Sequence, residues 1–249
     1  MEPSKGFSWP NNVRAAVSFS FDDARASQVD HGMKTFDKFP FKATFYVSPH
    51  AVEKKIPEWK EMVRKGHEIA NHSMTHPCSA NFAWSRQKSV EDLTLERMEK
   101  EQLLAANEYI QKTLGVQAKT YAYPCGHTYV GRGEGTKSYI PLVAKHFVAG
   151  RGFRNEFVNA PLYCDLAQLG GTECDGLSFE AFREWLDRAA QEGGWVIFAG
   201  HEIAPSGKQT TVVPELEKTL AYLQERSKDF WFQTVADVAE YVKKARGKS

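Results

Sequence analysis

Cysteine is scarce in this chain of 249 residues: Cys78, Cys125, Cys164 and Cys174 stand at irregular spacings and form no CxxC pair. Four in a chain this long exclude a disulfide framework of the small secreted kind, and they leave the compartment open. Long apolar runs are lacking as well. No stretch approaches the ~20 residues of a membrane span, and the opening Met1-Glu2-Pro3-Ser4-Lys5-Gly6 has no signal-peptide core. The expectation is a cytoplasmic protein, or an extracytoplasmic one whose signal was removed. Nor is there a surplus of charge: Lys+Arg 32 against Asp+Glu 31 gives +1. That supplies no overall pull toward nucleic acid or an anionic membrane, so a neutral or locally steered substrate fits better. The one basic run, residues 243–248, reads as a frayed, solvated helix end.

What is present is an ordinary globular composition, 42% hydrophobic and 25% charged, enough to bury one sizeable core. A single domain over residues 1–249 is expected, with its core at about 13–242. Strand patterns at 13–21, 41–47, 67–70, 118–123, 147–150, 195–199 and 230–232 alternate with helix patterns at 57–65, 89–114, 140–145, 179–191, 214–226 and 235–245. That alternation predicts right-handed crossovers and an α/β barrel of parallel strands. The longest helix pattern carries a stripe of Leu93, Met98, Leu103, Leu104, Tyr109 and Ile110, with Gly115 as its cap. Residues 151–176, rich in Gly, Asn and Asp, read as a long loop over one mouth of the barrel.

In such a fold, reactive groups gather at the C-terminal ends of strands. The residues there are Asp22-Asp23, His72-Ser-Met-Thr-His76, Tyr123-Pro-Cys-Gly-His127 and Gly200-His201-Glu202. His72 and His76 are four apart, so a single helical turn, stopped by Pro77, would aim both imidazoles one way. With Asp23 they make a His2Asp set that leaves positions open for water and substrate. A zincin HExxH is absent, because His67-Glu68 is followed by Asn71 where the second His is required. His201-Glu202 meets Pro205 at the same place, and Gly131-Arg-Gly-Glu-Gly135 fits neither GxGxxG nor a P-loop.

Ser20-Phe-Asp-Asp23, His72-Ser-Met-Thr-His-Pro77, Tyr123-Pro-Cys-Gly126 and Ile197-Phe-Ala-Gly-His201 resemble, in order, the motifs of the polysaccharide deacetylase family, the NodB-homology or carbohydrate esterase family 4 domain. The resemblance implies a distorted (β/α)7-8 barrel, one divalent metal on Asp23, His72 and His76, and hydrolysis of N-acetyl or O-acetyl groups on a chitin- or peptidoglycan-type glycan. It implies Asp22 as general base toward the attacking water, His201 as general acid toward the departing amine, and the backbone N–H of Cys125 as an oxyanion donor. Zn2+ is the expected ion, and Co2+, Fe2+, Mn2+ and Ni2+ suit the same ligands. The partner is an acetylated carbohydrate.

The third motif departs from the family's Arg-Pro-Pro-Tyr-Gly, since Ala122-Tyr-Pro-Cys-Gly126 has Ala122 where the Arg would stand and Cys125 in place of Tyr. Arg151 or Arg154, at the next strand exit, is expected to orient the base instead. The family's Asp-Trp motif is not recognisable in 151–176, where Asp165 is the nearest candidate. Tyr123, Pro124 and His127 are candidates for the cleft wall, and Trp84 for a sugar platform. The aromatic residues at 195, 198 and 230–232 are expected to pack the barrel. Two other readings of the chain are an allantoinase-like hydrolase of small amides and a non-catalytic carbohydrate-binding relic.

Overall fold

A computed structural model describes residues 6–247. Residues 1–5 of the opening segment, and Lys248 of the basic run, lie outside the described residues. Eight parallel-paired strands form the sheet: β1 (Ala15–Asp22), β2 (Thr44–Val47), β3 (Glu68–Asn71), β4 (Thr120–Ala122), β5 (Ala149–Arg151), β6 (Thr172–Glu173), β7 (Trp195–Gly200) and β8 (Phe230–Phe232). Their order is β5-β4-β3-β2-β1-β7-β6. β8 lies against the first half of β1 and β2 against its second half.

The helices cover the outside. The longer ones are α1 (Ile56–Arg64), α2 (Ala105–Leu114), α3 (Ile140–His146), α4 (Phe179–Glu192), α5 (Val213–Glu225) and α6 (Val235–Arg246). Local chemistry sets their ends. Pro57, Pro141 and Pro214 sit in first turns, where a missing N–H costs nothing. Ser178 and Thr234 accept capping bonds from Ala181 and Asp237. Gly115 and Gly193 end α2 and α4 at φ 77° and 67°.

β1 is buried along its whole length, and its alternation places the site. Ala15, Val17, Phe19 and Phe21 pack outward into the aromatic core with Phe45, Phe182, Phe198 and Phe232. Ser18, Ser20 and Asp22 are on the opposite face, where Ser18 accepts from Trp195 Nε1 at 3.0 Å, Ser20 donates to the Phe198 carbonyl at 2.8 Å and Asp22 pairs with Arg151. The barrel interior is therefore polar near the ends of its strands.

Residues 151–176 do more than the expected loop. Leu169 bridges to Arg151 of β5 in parallel, and three residues on, β6 pairs with β7. This short segment closes the ring between β5 and β7, a strand too brief to leave a periodic signature. Two further corrections concern helices. The 89–114 pattern is broken at Leu93, and the helix starts at Leu95 behind a Thr94 cap. Wide π-type turns over Met98–Leu104 then shift the stripe, burying Met98, Leu103 and Ile110 but leaving Leu104 39% exposed. The end of α6 is not simply solvated either, because Arg246 donates to the carbonyls of Pro161 and Cys164 at 2.6 and 2.8 Å.

Candidate active site

Asp23, His72 and His76 meet where β1 and β3 end. His72 Nε2 and His76 Nε2 lie 3.4 and 3.3 Å from the same oxygen, Asp23 Oδ1. Arg25 holds the other oxygen, Oδ2, through two nitrogens at 3.1 and 2.8 Å. His72 Nδ1 is 2.9 Å from the Ala122 carbonyl, so it carries the proton there and leaves Nε2 with its lone pair. Burial, and then the neighbouring His72, push His76 down to about 4, so it is neutral at ordinary pH. Burial alone would raise the Asp23 carboxyl, but His72, His76 and Arg25 outweigh it and hold the group far below the usual carboxylate range. Two imidazoles and an ionised carboxylate, their ligand atoms within 4.8 Å of one another, suit a divalent transition ion.

The path to this geometry differs from the expected one. Residues 72–76 are not a helical turn. Ser73 and His76 adopt left-handed φ values of 65° and 54°. Asn71 Oδ1 accepts from the Ser73 N–H at 2.6 Å, and Ser73 Oγ accepts from the His76 N–H at 3.0 Å. This bonded loop brings the rings to 4.7 Å. Asp23 also lies beyond the strand at φ 75°, so a turn, rather than strand alternation alone, separates it from Asp22.

Asp22 is buried, and its carboxylate pairs with the guanidinium of Arg151 at the end of β5. Arg151 also lies 4.9 Å over the Tyr46 ring and donates to the Gly152 carbonyl at 2.7 Å. Of the two arginines considered from sequence, this one meets Asp22. Arg154 instead pairs with Glu173 at the surface, at 2.9 Å. Burial acts to raise the Asp22 carboxyl, yet Arg151, His72 and His201 together bring it below its ordinary value. Buried Gln28, which the sequence reading missed, donates to the carbonyls of both Asp22 and His201, at 2.6 and 2.8 Å.

His201 follows β7, next to the end of β1 in register. Its Nδ1 is 2.6 Å from Asp175 Oδ2, and its backbone N–H donates to Asp175 Oδ1 at 3.1 Å. Burial lowers the imidazole's affinity for a proton, but Asp175 and then Asp22 outweigh it, and its pKa is raised. Asp165 does not fill this role; it caps its own turn by accepting from the Ala167 N–H at 2.9 Å. Asp175 was missed because the strand ahead of it, β6, is only two residues long.

The third motif forms a turn with Cys125 at φ 54°. Gly126 and His127 donate their N–H groups to the Tyr123 and Pro124 carbonyls, whereas the Cys125 N–H has no backbone acceptor among the described residues. Cys125 is joined to Cys78 in a disulfide, which the sparse cysteine pattern had not suggested. The bond ties the segment after His76 to the turn of the third motif. Three candidates for the cleft wall have other surroundings. Tyr123 is buried against Tyr121 and Tyr139, with its hydroxyl donating to Ala167 at 2.7 Å. Pro124 is buried in the turn, and the His127 ring packs on Tyr129. Trp84 is exposed, 5.8 Å from the His76 ring, at a cavity of about 430 Å3 that Asp23, Arg25 and His76 also line.

Residues 11–134 match the family model for polysaccharide deacetylases. The chain is 36% identical over 117 residues to a Bacillus subtilis (strain 168) protein, the uncharacterized protein YlxY, a match spanning 47% of this chain and 33% of that one. The chain thus covers about a third of that relative's length. Among solved structures, a Mycobacterium smegmatis protein assigned as a polysaccharide deacetylase is similar at a TM-score of 0.68, with 18% identity, over 98% of this chain and 95% of the other. A family 4 acetyl xylan esterase from Clostridium thermocellum, in complex with a cobalt ion, is similar at 0.56 with 18% identity, over 89% of each chain. At such identities the structural likeness speaks for the fold, the distorted barrel expected from the motifs. The family match and the ordered motifs place the chain: it belongs to the polysaccharide deacetylase family.

Proposed function

We propose that this chain is a metal-dependent hydrolase that removes acetyl groups from the amino sugars of a glycan. Asp23, His72 and His76 would hold the ion. Once bound, a divalent metal lowers the pKa of water toward ~7 and polarises the acetyl carbonyl. Cobalt in the acetyl xylan esterase supports a divalent ion, and zinc suits the same donors.

The remaining work falls to the chain's own groups. Asp22, kept anionic by Arg151, accepts the proton of the attacking water at its free carboxylate oxygen. The Cys125 N–H donates to the oxygen that gains charge as the carbonyl becomes tetrahedral, a contribution of about 2.7–4 kcal/mol when such a donor is well placed. His201, with Nδ1 fixed on Asp175, presents Nε2 as the acid that protonates the departing amine. An amine leaves poorly without that proton, so a raised pKa on His201 serves the reaction.

The observation carrying this reading is the opposite tuning of Asp22 and His201 beside one ligand set: the carboxylate is held down by an arginine and the imidazole is held up by a carboxylate. Acetate release from N-acetylated glycans and small amides, with Asp22→Asn beside the parent protein, tests it. Release that the substitution abolishes supports the reading. Ammonia or ring-opened product without acetate would move the chain to the small-amide hydrolases.

A further inference from the structure

The cavity beside Asp23 and His76 has a charge pattern that the near-neutral chain does not foretell. Its lining includes Arg25, Lys54, Lys55 and Lys88 against a single carboxylate, Asp23. Two of the cations are already matched. Arg25 is paired with Asp23 at 2.8 Å and lies 3.7 Å from Glu202, and Lys55 is paired with Asp30 at 2.6 Å. The other two are not. Among the described residues Lys54 has no ion pair, and Lys88 meets only the Thr75 carbonyl at 2.6 Å and the Trp84 ring at 5.9 Å. His50 lines the same space.

From this we infer that the cavity is a subsite for an anionic group, a carboxylate or a sulfate, carried by the glycan near the sugar that is deacetylated. Asp23 cannot balance the lysines, because its two oxygens face the imidazoles and Arg25. A ligand carboxylate or sulfate supplies the missing charge at little desolvation cost, since Lys54 is exposed and Lys88 half-buried. Exposed Trp84, stacked on Phe82, lies 5.8 Å from the His76 ring and 5.9 Å from Lys88 Nζ, and lines the same cavity as Lys54, so a sugar held at the indole can carry its anionic neighbour to the lysines. The substrate class narrows from acetylated glycans in general to acidic ones. This inference rests on the deacetylase reading for the chemistry, but not for the binding.

Titration calorimetry separates the two. The ligands are a neutral N-acetylglucosamine tetramer, a hyaluronan tetramer bearing carboxylates and a chondroitin sulfate tetramer, offered to the parent protein and to Lys54→Gln/Lys88→Gln. The expected result is tighter binding of an acidic tetramer, by roughly two- to fivefold per lysine at low salt, a preference that shrinks in high salt and in the double variant. Because the chondroitin sulfate tetramer bears sulfates besides uronate carboxylates, equal tightening by both acidic tetramers assigns the anion as carboxylate, and tightening by the chondroitin sulfate tetramer alone assigns it as sulfate. Equal affinity for neutral and acidic tetramers, or a preference untouched by the double substitution, would overturn the inference. Absence of acetate from every ligand, with the binding preference intact, would sink the deacetylase reading and leave the subsite standing.

Discussion

The guanidinium of Arg151 and the carboxylate of Asp22, 129 residues apart in the chain, are paired inside the barrel with side chains 0% and 5% exposed. Removing one member of a buried pair strands the other, at a cost of about 3–5 kcal/mol. Arg151→Met should therefore lower stability by about that amount in denaturant unfolding. It should also raise the Asp22 pKa, since Arg151 is the largest of the influences that lower it. A base must be ionised to act, so the acid limb of kcat/KM should move to higher pH.

Asp175→Asn should act on the opposite limb. His201 works as an acid only while protonated, and Asp175 is the largest of the influences that raise its pKa. Without that carboxylate the pKa falls, and activity should be lost at lower pH as the pH is raised. A decrease in kcat of roughly 10²–10⁴-fold is expected, measured as a pH–rate profile. An unshifted basic limb would remove His201 from the acid's role.

His67 makes a prediction about stability rather than catalysis. Its ring is buried between Phe36 and Phe45, with Nδ1 accepting from the Ala43 N–H at 3.1 Å. Burial, reinforced by Lys42, lowers its pKa from 6.5 to about 4. The unfolded chain therefore binds a proton at a pH where the folded chain does not. The contribution is fully present above 6.5 and lost as pH falls toward 4, about 3 kcal/mol in all. Thermal melts across that window should show a shallower pH dependence in His67→Gln than in the parent protein.

The Cys78–Cys125 disulfide closes a separation of 47 residues. Opening it with a dithiol, or substituting Cys78→Ser, should lower stability by roughly 2–4 kcal/mol in calorimetry. The turn presenting the Cys125 N–H would also be freed from the His76 segment, so kcat should fall more than KM rises.

The sequence carried the strand ends well, because Asp22, Asp23, His72, His76 and His201 lie within or just after regular strands whose patterns are long enough to read. β8 and most helix ends also fell within a residue or two of expectation, where proline and glycine mark the boundaries. Arg151 was one of two choices, and only the closing of the ring distinguishes it from Arg154. Asp175, Gln28 and the disulfide were not legible. Asp175 follows a two-residue strand, Gln28 works through contacts to distant carbonyls, and the cysteines meet only when β3 and β4 are side by side. His72 and His76 converge, but for a reason the sequence did not contain: two left-handed residues and an asparagine clasp, not a helical turn, aim the imidazoles.

The central claim is that acetate release requires an ion held by Asp23, His72 and His76. The most direct test titrates chelator-stripped protein with Zn2+ while bound metal and acetate release from an N-acetylated glycan are followed in the same samples, with Asp23→Ala alongside. The account predicts that activity rises with occupancy, saturates at one equivalent and is absent in Asp23→Ala, which binds little metal. Undiminished acetate release from metal-free protein would contradict it.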